Sequence, residues 1–261
     1  MTTKPLVGTT FAGYRVERVL GRGGMSVVYL AEHPRLKNMV ALKLLAPALA
    51  EDDLFRERLL RESRLAASLS HPNVIPVYDT GEEDGVLFVS MRYVAGQDLH
   101  ALIRDAGPLS VSDTASVISQ AAAALDAAHA LGLVHRDVKP ANILLEPGSE
   151  TPGHVYVADF GLTKHTDARS GATASGVVGT VDYMAPEQIE GRQIDGRADV
   201  YALGCVLFEC LVGRPPVQAR HRRRCPLGAH PRRPAPAERC QPLAPARVRR
   251  DRRSRVGQEP P

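Results

Sequence analysis

The run His135-Arg136-Asp137-Val138-Lys139-Pro140-Ala141-Asn142 constrains this chain more than any other stretch. Only Val138 and Ala141 are plain apolar residues, so packing alone does not account for it. Asp137 can take a proton from a hydroxyl, and Lys139 can neutralise a phosphate in transfer. Asn142 with a second carboxylate can hold a divalent cation through oxygen. That second carboxylate follows 22 residues after Asp137 in Asp159-Phe160-Gly161, and Ala185-Pro186-Glu187 lies further on.

Upstream the chain reads as short β-rich runs. Residues 14–20 and 27–32 flank the cluster Gly21-Arg22-Gly23-Gly24, and 40–45 form a third run. A glycine-rich turn between strands lets backbone N–H groups approach phosphate oxygens, although such a turn also serves simply to join a hairpin. A dinucleotide fingerprint leads into a helix, whereas Val27-Val28-Tyr29-Leu30 reads as strand, which weighs against that class. Lys43, one of five lysines, sits inside an apolar run and needs a partner for its charge. Residues 51–69 predict an amphipathic helix, with Leu54, Phe55, Leu59, Leu65, Ala66 and Leu69 near helical spacing and Glu57 and Glu62 as candidate partners. Residues 74–78 and 86–93 read as two more strands separated by a turn over 81–85.

After Gly96 the pattern turns helical. Residues 110–131 are Ala-rich and predict a buried helix, with Ser110 or Ser112 as its cap. Residues 133–163 alternate short apolar runs with loops, 164–180 are small and polar and are expected to be mobile, and 199–212 predict a second apolar helix. The plan is α+β, a small sheet-plus-helix lobe followed by a mainly helical one.

In order and spacing, these motifs resemble the protein-kinase signature. Over about residues 11–216 the chain is similar to the bacterial, eukaryotic-like (Hanks-type) Ser/Thr protein kinases. The resemblance implies a two-lobed fold, with a disordered lead over 1–10, an N-lobe and hinge over 11–94, and an incomplete C-lobe over 95–216. It places Gly21, Arg22, Gly23, Gly24, Met25, Ser26 and Val28 over the phosphates of ATP, with Ser26 where the family has a third glycine. Lys43 would meet the α/β-phosphates and pair with Glu62, with Glu57 as the alternative. Ala41, Leu144, Tyr93, Val94 and the gatekeeper Met91 would surround the adenine, which contacts hinge backbone. Arg92 stands in that hinge where the family often has an acid.

The same resemblance makes Asp137 the residue that orients the substrate hydroxyl and takes its proton, with Lys139 as the Ser/Thr version of the loop. Asn142 and Asp159 would bind Mg²⁺, and Thr180 would bond back towards Asp137 and Lys139. His135 and Phe160 are expected to pack, and Asp199 to brace the catalytic loop. Arg136 offers a cation to a phosphorylated loop, with Thr173 and Ser175 as the best-placed acceptors and Ser170 and Thr166 behind them. Protein substrates with Ser or Thr hydroxyls, a role in signalling and a homodimer through the N-lobe follow as expectations.

Charge then divides the chain. Residues 1–216 hold 20 Lys and Arg against 26 Asp and Glu, a net of −6. Residues 217–261 hold 13 Arg against three acids, a net of +10, and eight of the 20 prolines. Where the family continues with Phe and an acidic helical stretch, Val217 opens an Arg/Pro-rich tail, and the Arg expected to pair with Glu187 is absent. Missing helices would leave apolar surface of 115–131 and 201–211 uncovered. With suitable codons, residues 217–231 read one nucleotide later spell Phe-Lys-Arg-Asp-Thr-Asp-Val-Ala-Ala-Arg-Trp-Ala-His-Ile-His, so a shifted reading frame is the expected origin of the tail. A disordered linker and a nucleic-acid-binding arm are the alternatives, and the absence of Tyr, Phe and Trp from the tail weakens the latter. An inactive, nucleotide-binding kinase fragment is the alternative for the whole chain. Residues 1–7 lack the apolar core of a secretory signal, no window approaches 18 apolar residues, and the four cysteines form no metal or disulfide pattern. A cytoplasmic location without a membrane segment or nucleic-acid partner is expected.

Overall fold

The computed structural model describes residues 6–24, 26–50, 53–148, 153–160 and 181–217. These described residues fall within one compact unit spanning Met1–Arg220. The strands come first: β1 (Thr10–Phe11), β2 (Tyr14–Arg22), β3 (Ser26–Glu32) and β4 (Met39–Leu45). Helices α1 (Pro47–Ala50) and α2 (Asp53–Ser68) precede β5 (Val77–Glu83) and β6 (Val86–Arg92). The six strands form one antiparallel sheet in the order β1-β2-β3-β4-β6-β5.

β4 is central, and every residue after Met39 is buried. Its alternation splits it between two apolar clusters. Val40, Leu42 and Leu44 meet Phe11, Tyr14, Tyr29 and Phe88, whereas Ala41 and Leu45 join Leu59 of α2 with Met91 and Val94. Lys43 shares the face of Ala41 and Leu45, so the period of two delivers a buried ammonium to the side covered by α2.

The second lobe opens with β7 (Gln97–Asp98), α3 (Leu99–Ala106) and α4 (Val111–Ala130). A 3₁₀ turn at Pro140–Asn142 leads into β8 (Ile143–Glu146), which pairs with β7 and β9 (His154–Val157). After a second 3₁₀ turn at Val181–Tyr183 come α5 (Pro186–Ile189) and α6 (Gly196–Val212). α4 buries Val117, Ala121, Ala124, Leu125 and Ala128, a stripe narrow enough to pack closely on Ala202, Val206 and Cys210 of α6. Cys205 and Cys210 are free and buried, and burial pushes the Cys210 thiol up to about 12, so it carries no thiolate near neutral pH.

Several expectations need correction. Residues 74–78 do not form one strand: Val74 makes a single bridge to Val157, and β5 starts at Val77. Pro76 has no N–H for a ladder, and Ile75 instead donates to the Val157 carbonyl at 3.0 Å. Gly81 lies within β5 opposite Phe88, and the turn is the two-residue Asp84-Gly85, both at positive φ (50° and 71°), as a type I′ hairpin requires. α6 begins before residue 199, because Asp195 caps it by accepting from the Arg197 N–H at 2.9 Å. α4 takes Ser110 as its cap, accepting from the Asp113 N–H at 3.0 Å. Val200, Tyr201, Leu207, Phe208, Leu211 and Val212 of α6 are exposed, in line with the apolar surface expected over 201–211. Among the described residues no helix is long and apolar enough to cross a membrane. Apart from Val217, the Arg/Pro-rich tail lies outside the described residues.

Candidate active site

The catalytic loop is built downward from α6. Asp199, 1% exposed, accepts from the His135 N–H at 2.8 Å, the Arg136 N–H at 2.7 Å and His129 Nε2 at 2.7 Å. Three donors on one buried carboxylate fix the backbone just before Asp137, the bracing expected of Asp199. Arg136 is held at φ 64°, a left-handed conformation that a side chain disfavours. Its carbonyl accepts from Gln188 Nε2 of α5 at 2.9 Å, while Gln188 Oε1 accepts from the Ala185 N–H at 3.0 Å. Gln188 was not singled out by the sequence. Its only signal is its place one residue past Ala185-Pro186-Glu187.

His135 is buried and packs on Phe160, with ring centroids 4.7 Å apart, as expected of both. The Asp137 N–H donates to His135 Nδ1 at 3.2 Å, so Nε2 carries the proton and donates to the Ala158 carbonyl at 2.8 Å. One imidazole therefore links the loop of Asp137 to the segment that carries Asp159.

The expected site residues converge. Lys139 Nζ lies 2.7 Å from Asp137 Oδ2, and Asn142 Nδ2 donates to the Asp137 carbonyl at 2.8 Å and to Oδ2 at 3.3 Å. The Ala158 N–H donates to the Asn142 carbonyl at 2.9 Å, which places Asn142 beside Asp159. Lys43 Nζ meets Asp159 Oδ1 at 2.8 Å. Above them, Val28, Ala41, Met91, Val94 and Leu144 all belong to one apolar cluster. Gly21 and Arg22 pair with Val28 and Val27 across β2 and β3, and the Gly23 N–H closes the turn on the Ser26 carbonyl at 2.8 Å. Tyr93 is half-buried, and its hydroxyl accepts from Arg18 at 3.3 Å.

One expected pairing is not made. Glu62 is buried on α2, but the ion pair recorded for it is with Arg136 at 3.6 Å, and Lys43 pairs with Asp159 instead of Glu62. Buried charges need neutralising: Glu62 of α2 faces Arg136, and Asp159, held at positive φ (67°), faces Lys43 of β4. Glu57 is exposed. Tyr183 donates to the buried Glu209 carboxylate, and burial together with that neighbour raises its phenol well above the usual range. Met25, Thr166, Ser170, Thr173, Ser175 and Thr180 lie outside the described residues.

A family model described as "Protein kinase domain" matches residues 14–230. The chain belongs to the protein kinase family. Its relatives are bacterial Ser/Thr kinases. PknD of Mycobacterium tuberculosis is 45% identical over 247 residues, 94% of this chain and 36% of that protein. PknH of Mycobacterium bovis is 46% identical over 213 residues, 82% of this chain and 35% of that protein. The chain thus spans about a third of the length of these curated relatives. The crystal structure of the PknI kinase domain from Mycobacterium tuberculosis superposes with a TM-score of 0.69 at 39% identity, covering 84% of this chain and 82% of that one. The family match runs to residue 230, past Pro216 where the sequence reading placed the end of the likeness.

Protein kinases use ATP and a divalent cation. The residues present fit that pair. Both side-chain hydrogen bonds of Asn142 leave from Nδ2, so Oδ1 is the atom that could serve as a cation ligand together with the Asp159 carboxylate. Among the described residues no cluster of three or more His, Cys, Asp or Glu could hold a metal ion.

Proposed function

We propose that the chain is an ATP-dependent protein kinase that phosphorylates Ser and Thr hydroxyls of protein substrates. The observation that carries this reading is the line of contacts from Lys43 to Asp159, from its neighbour Ala158 to Asn142, and on to Asp137 and Lys139, with Ala41, Met91 and Leu144 in one apolar cluster. Mg-ATP, when bound, supplies the γ-phosphoryl group and the cation that offsets its charge. The Lys43 ammonium binds phosphate oxygen, and Asp159 with Asn142 Oδ1 holds the cation. Asp137 orients the substrate hydroxyl and accepts its proton, while Lys139, already 2.7 Å from that carboxylate, neutralises charge beside it. Gly21 to Val28 lie over the phosphates, and Tyr93 and Val94 present hinge backbone to adenine. Thr173 and Ser175 are the proposed phosphorylation sites, with Arg136 as the cation that answers the new charge. A second copy meeting the N-lobe sheet completes the partners of this reading.

The test is transfer of labelled phosphate from Mg-ATP by the 261-residue protein, with phosphosites mapped by mass spectrometry. Label on Ser or Thr that falls about a hundredfold or more in Asp137→Asn supports it. Equal labelling by Asp137→Asn refutes it. A second reading, an inactive protein that only binds nucleotide, is favoured by the exposed apolar side chains of α6. ATP binding without any transfer is its signature.

A further inference from the structure

Arg92 is the last residue of β6, between Met91 and Tyr93. The backbone on either side of it is tightly constrained. The Arg92 N–H donates to the Pro76 carbonyl at 2.9 Å. Four residues on, a Cβ built on Gly96 would stand 1.8 Å from the Leu145 carbonyl oxygen, so the connection between the lobes lies directly on β8. The Arg92 side chain spans that connection. Its Nη2 sits 2.9 and 3.2 Å from the two carboxylate oxygens of Glu146, the last residue of β8. Tyr156 of β9 closes the group: its hydroxyl donates to Glu146 Oε2 at 3.2 Å, and its ring lies 5.0 Å from the Arg92 guanidinium carbon.

Strand alternation connects this group to the nucleotide cleft. Leu144 and Glu146 share one face of β8, and the register sets Tyr156 opposite Leu144. Tyr156 and Leu144 therefore enter the same apolar cluster as Ala41, Met91 and Val94. We propose that Arg92, Glu146 and Tyr156 form a clamp that fixes the hinge backbone against β8, and that they are positioning residues for the adenine ring of ATP. The inference rests on the kinase reading above. An acid at residue 92, as the family often carries, would face Glu146 with like charge, so the clamp belongs to the particular pairing in this chain. The Arg92 guanidinium is raised and the Glu146 carboxyl lowered from their ordinary values, each chiefly by the hydrogen bond between them, so neither titrates near neutral pH.

The pair is partly exposed, with side chains 39% and 31% accessible, so the effect is modest. Arg92→Met and Glu146→Gln are each expected to weaken Mg-ATP binding, measured by isothermal titration, about fivefold. KM for ATP rises by the same factor while the rate at saturating ATP stays within about twofold. Arg92→Lys, which keeps the charge, and the exchange Arg92→Glu with Glu146→Arg both return affinity towards that of the wild type. Thermal unfolding of each variant shows that it is folded. Unchanged affinity in Arg92→Met overturns the clamp, as does a loss that the charge exchange leaves unrepaired, or a fall in rate with KM unaltered. Wild-type protein that binds ATP but transfers nothing refutes the kinase reading and leaves the binding arm to decide the clamp. Wild-type protein that binds no ATP overturns both.

Discussion

Replacing Asp199 removes the acceptor on which the catalytic loop hangs. Its carboxylate takes three hydrogen bonds of 2.7 to 2.8 Å, two from the backbone N–H groups of His135 and Arg136 and one from His129. A bond to a buried charged group contributes about 1.5–3 kcal/mol, so at the low end three contribute about 4.5 kcal/mol. Releasing Arg136 from its left-handed φ returns about 1 kcal/mol. Asp199→Ala should therefore lower the unfolding free energy by about 3.5 kcal/mol, a large fraction of the 5–15 kcal/mol of a typical domain. The chain has no Trp, so urea unfolding is best followed by circular dichroism at 222 nm. With a slope of about 2 kcal/mol per molar, the midpoint falls by about 1.75 M. Asp199→Asn keeps one acceptor oxygen but turns amide hydrogens towards donors, and should recover less than half of the loss. Phosphoryl transfer should fall in both, because the anchored N–H groups lie immediately before Asp137. A midpoint shift under about 0.5 M in Asp199→Ala, with transfer retained, would show that the loop is held by something other than this carboxylate.

Two further outcomes follow from the hinge. Gly96→Ala should cost about 1–3 kcal/mol in the same urea experiment, since its Cβ would meet the Leu145 carbonyl at 1.8 Å and backbone must yield; an unchanged midpoint would mean that the connection does not lie on β8. Because the Glu146 carboxyl titrates below its ordinary 4.5 when folded, its stabilisation is present above that value and is lost as pH falls through the lower folded one. The melting-temperature gap between wild type and Glu146→Gln should hold at pH 7 and close on acidification below about 4, and a gap that stays constant to pH 3 would refute the pairing.

Much of the fold could be read because its signals are local. β4 announces itself by six apolar residues around one lysine, and α4 by a small-residue stripe behind a Ser cap. The Asp84-Gly85 turn was blurred into 81–85 because Gly81 looks like a breaker, although in β5 it simply makes room for the Phe88 ring. α3 carries little local signal: it is eight residues long, and its Asp98 cap is a single hydrogen bond of 2.8 Å from the Ala101 N–H. In the site, residue identity was legible and partnership was not. Lys43, Glu62, Arg136 and Asp159 stand out through the family resemblance, yet which cation faces which carboxylate depends on where α2 sits over the loop, and no local pattern encodes that. Gln188 was hidden for the same reason, since its role exists only where α5 touches the Arg136 carbonyl.

The two strained residues of the site explain why so many polar groups are buried around it. Arg136 and Asp159 both hold positive φ, each at a cost of order 1–3 kcal/mol, and one immediately precedes Asp137 while the other is the expected cation ligand. Such conformations persist only where several contacts agree on them. Arg136 is pinned at its N–H by Asp199 of α6 and at its carbonyl by Gln188 of α5. Asp159 is pinned through Lys43 of β4, and its neighbour Ala158 is bonded on both sides, to Asn142 and His135. Neither strained residue is held by its own loop alone. Each is positioned by strands and helices that are themselves fixed by apolar packing, so a change in the packing of α6 reaches the chemistry through the backbone of residue 136 without touching a residue that meets substrate.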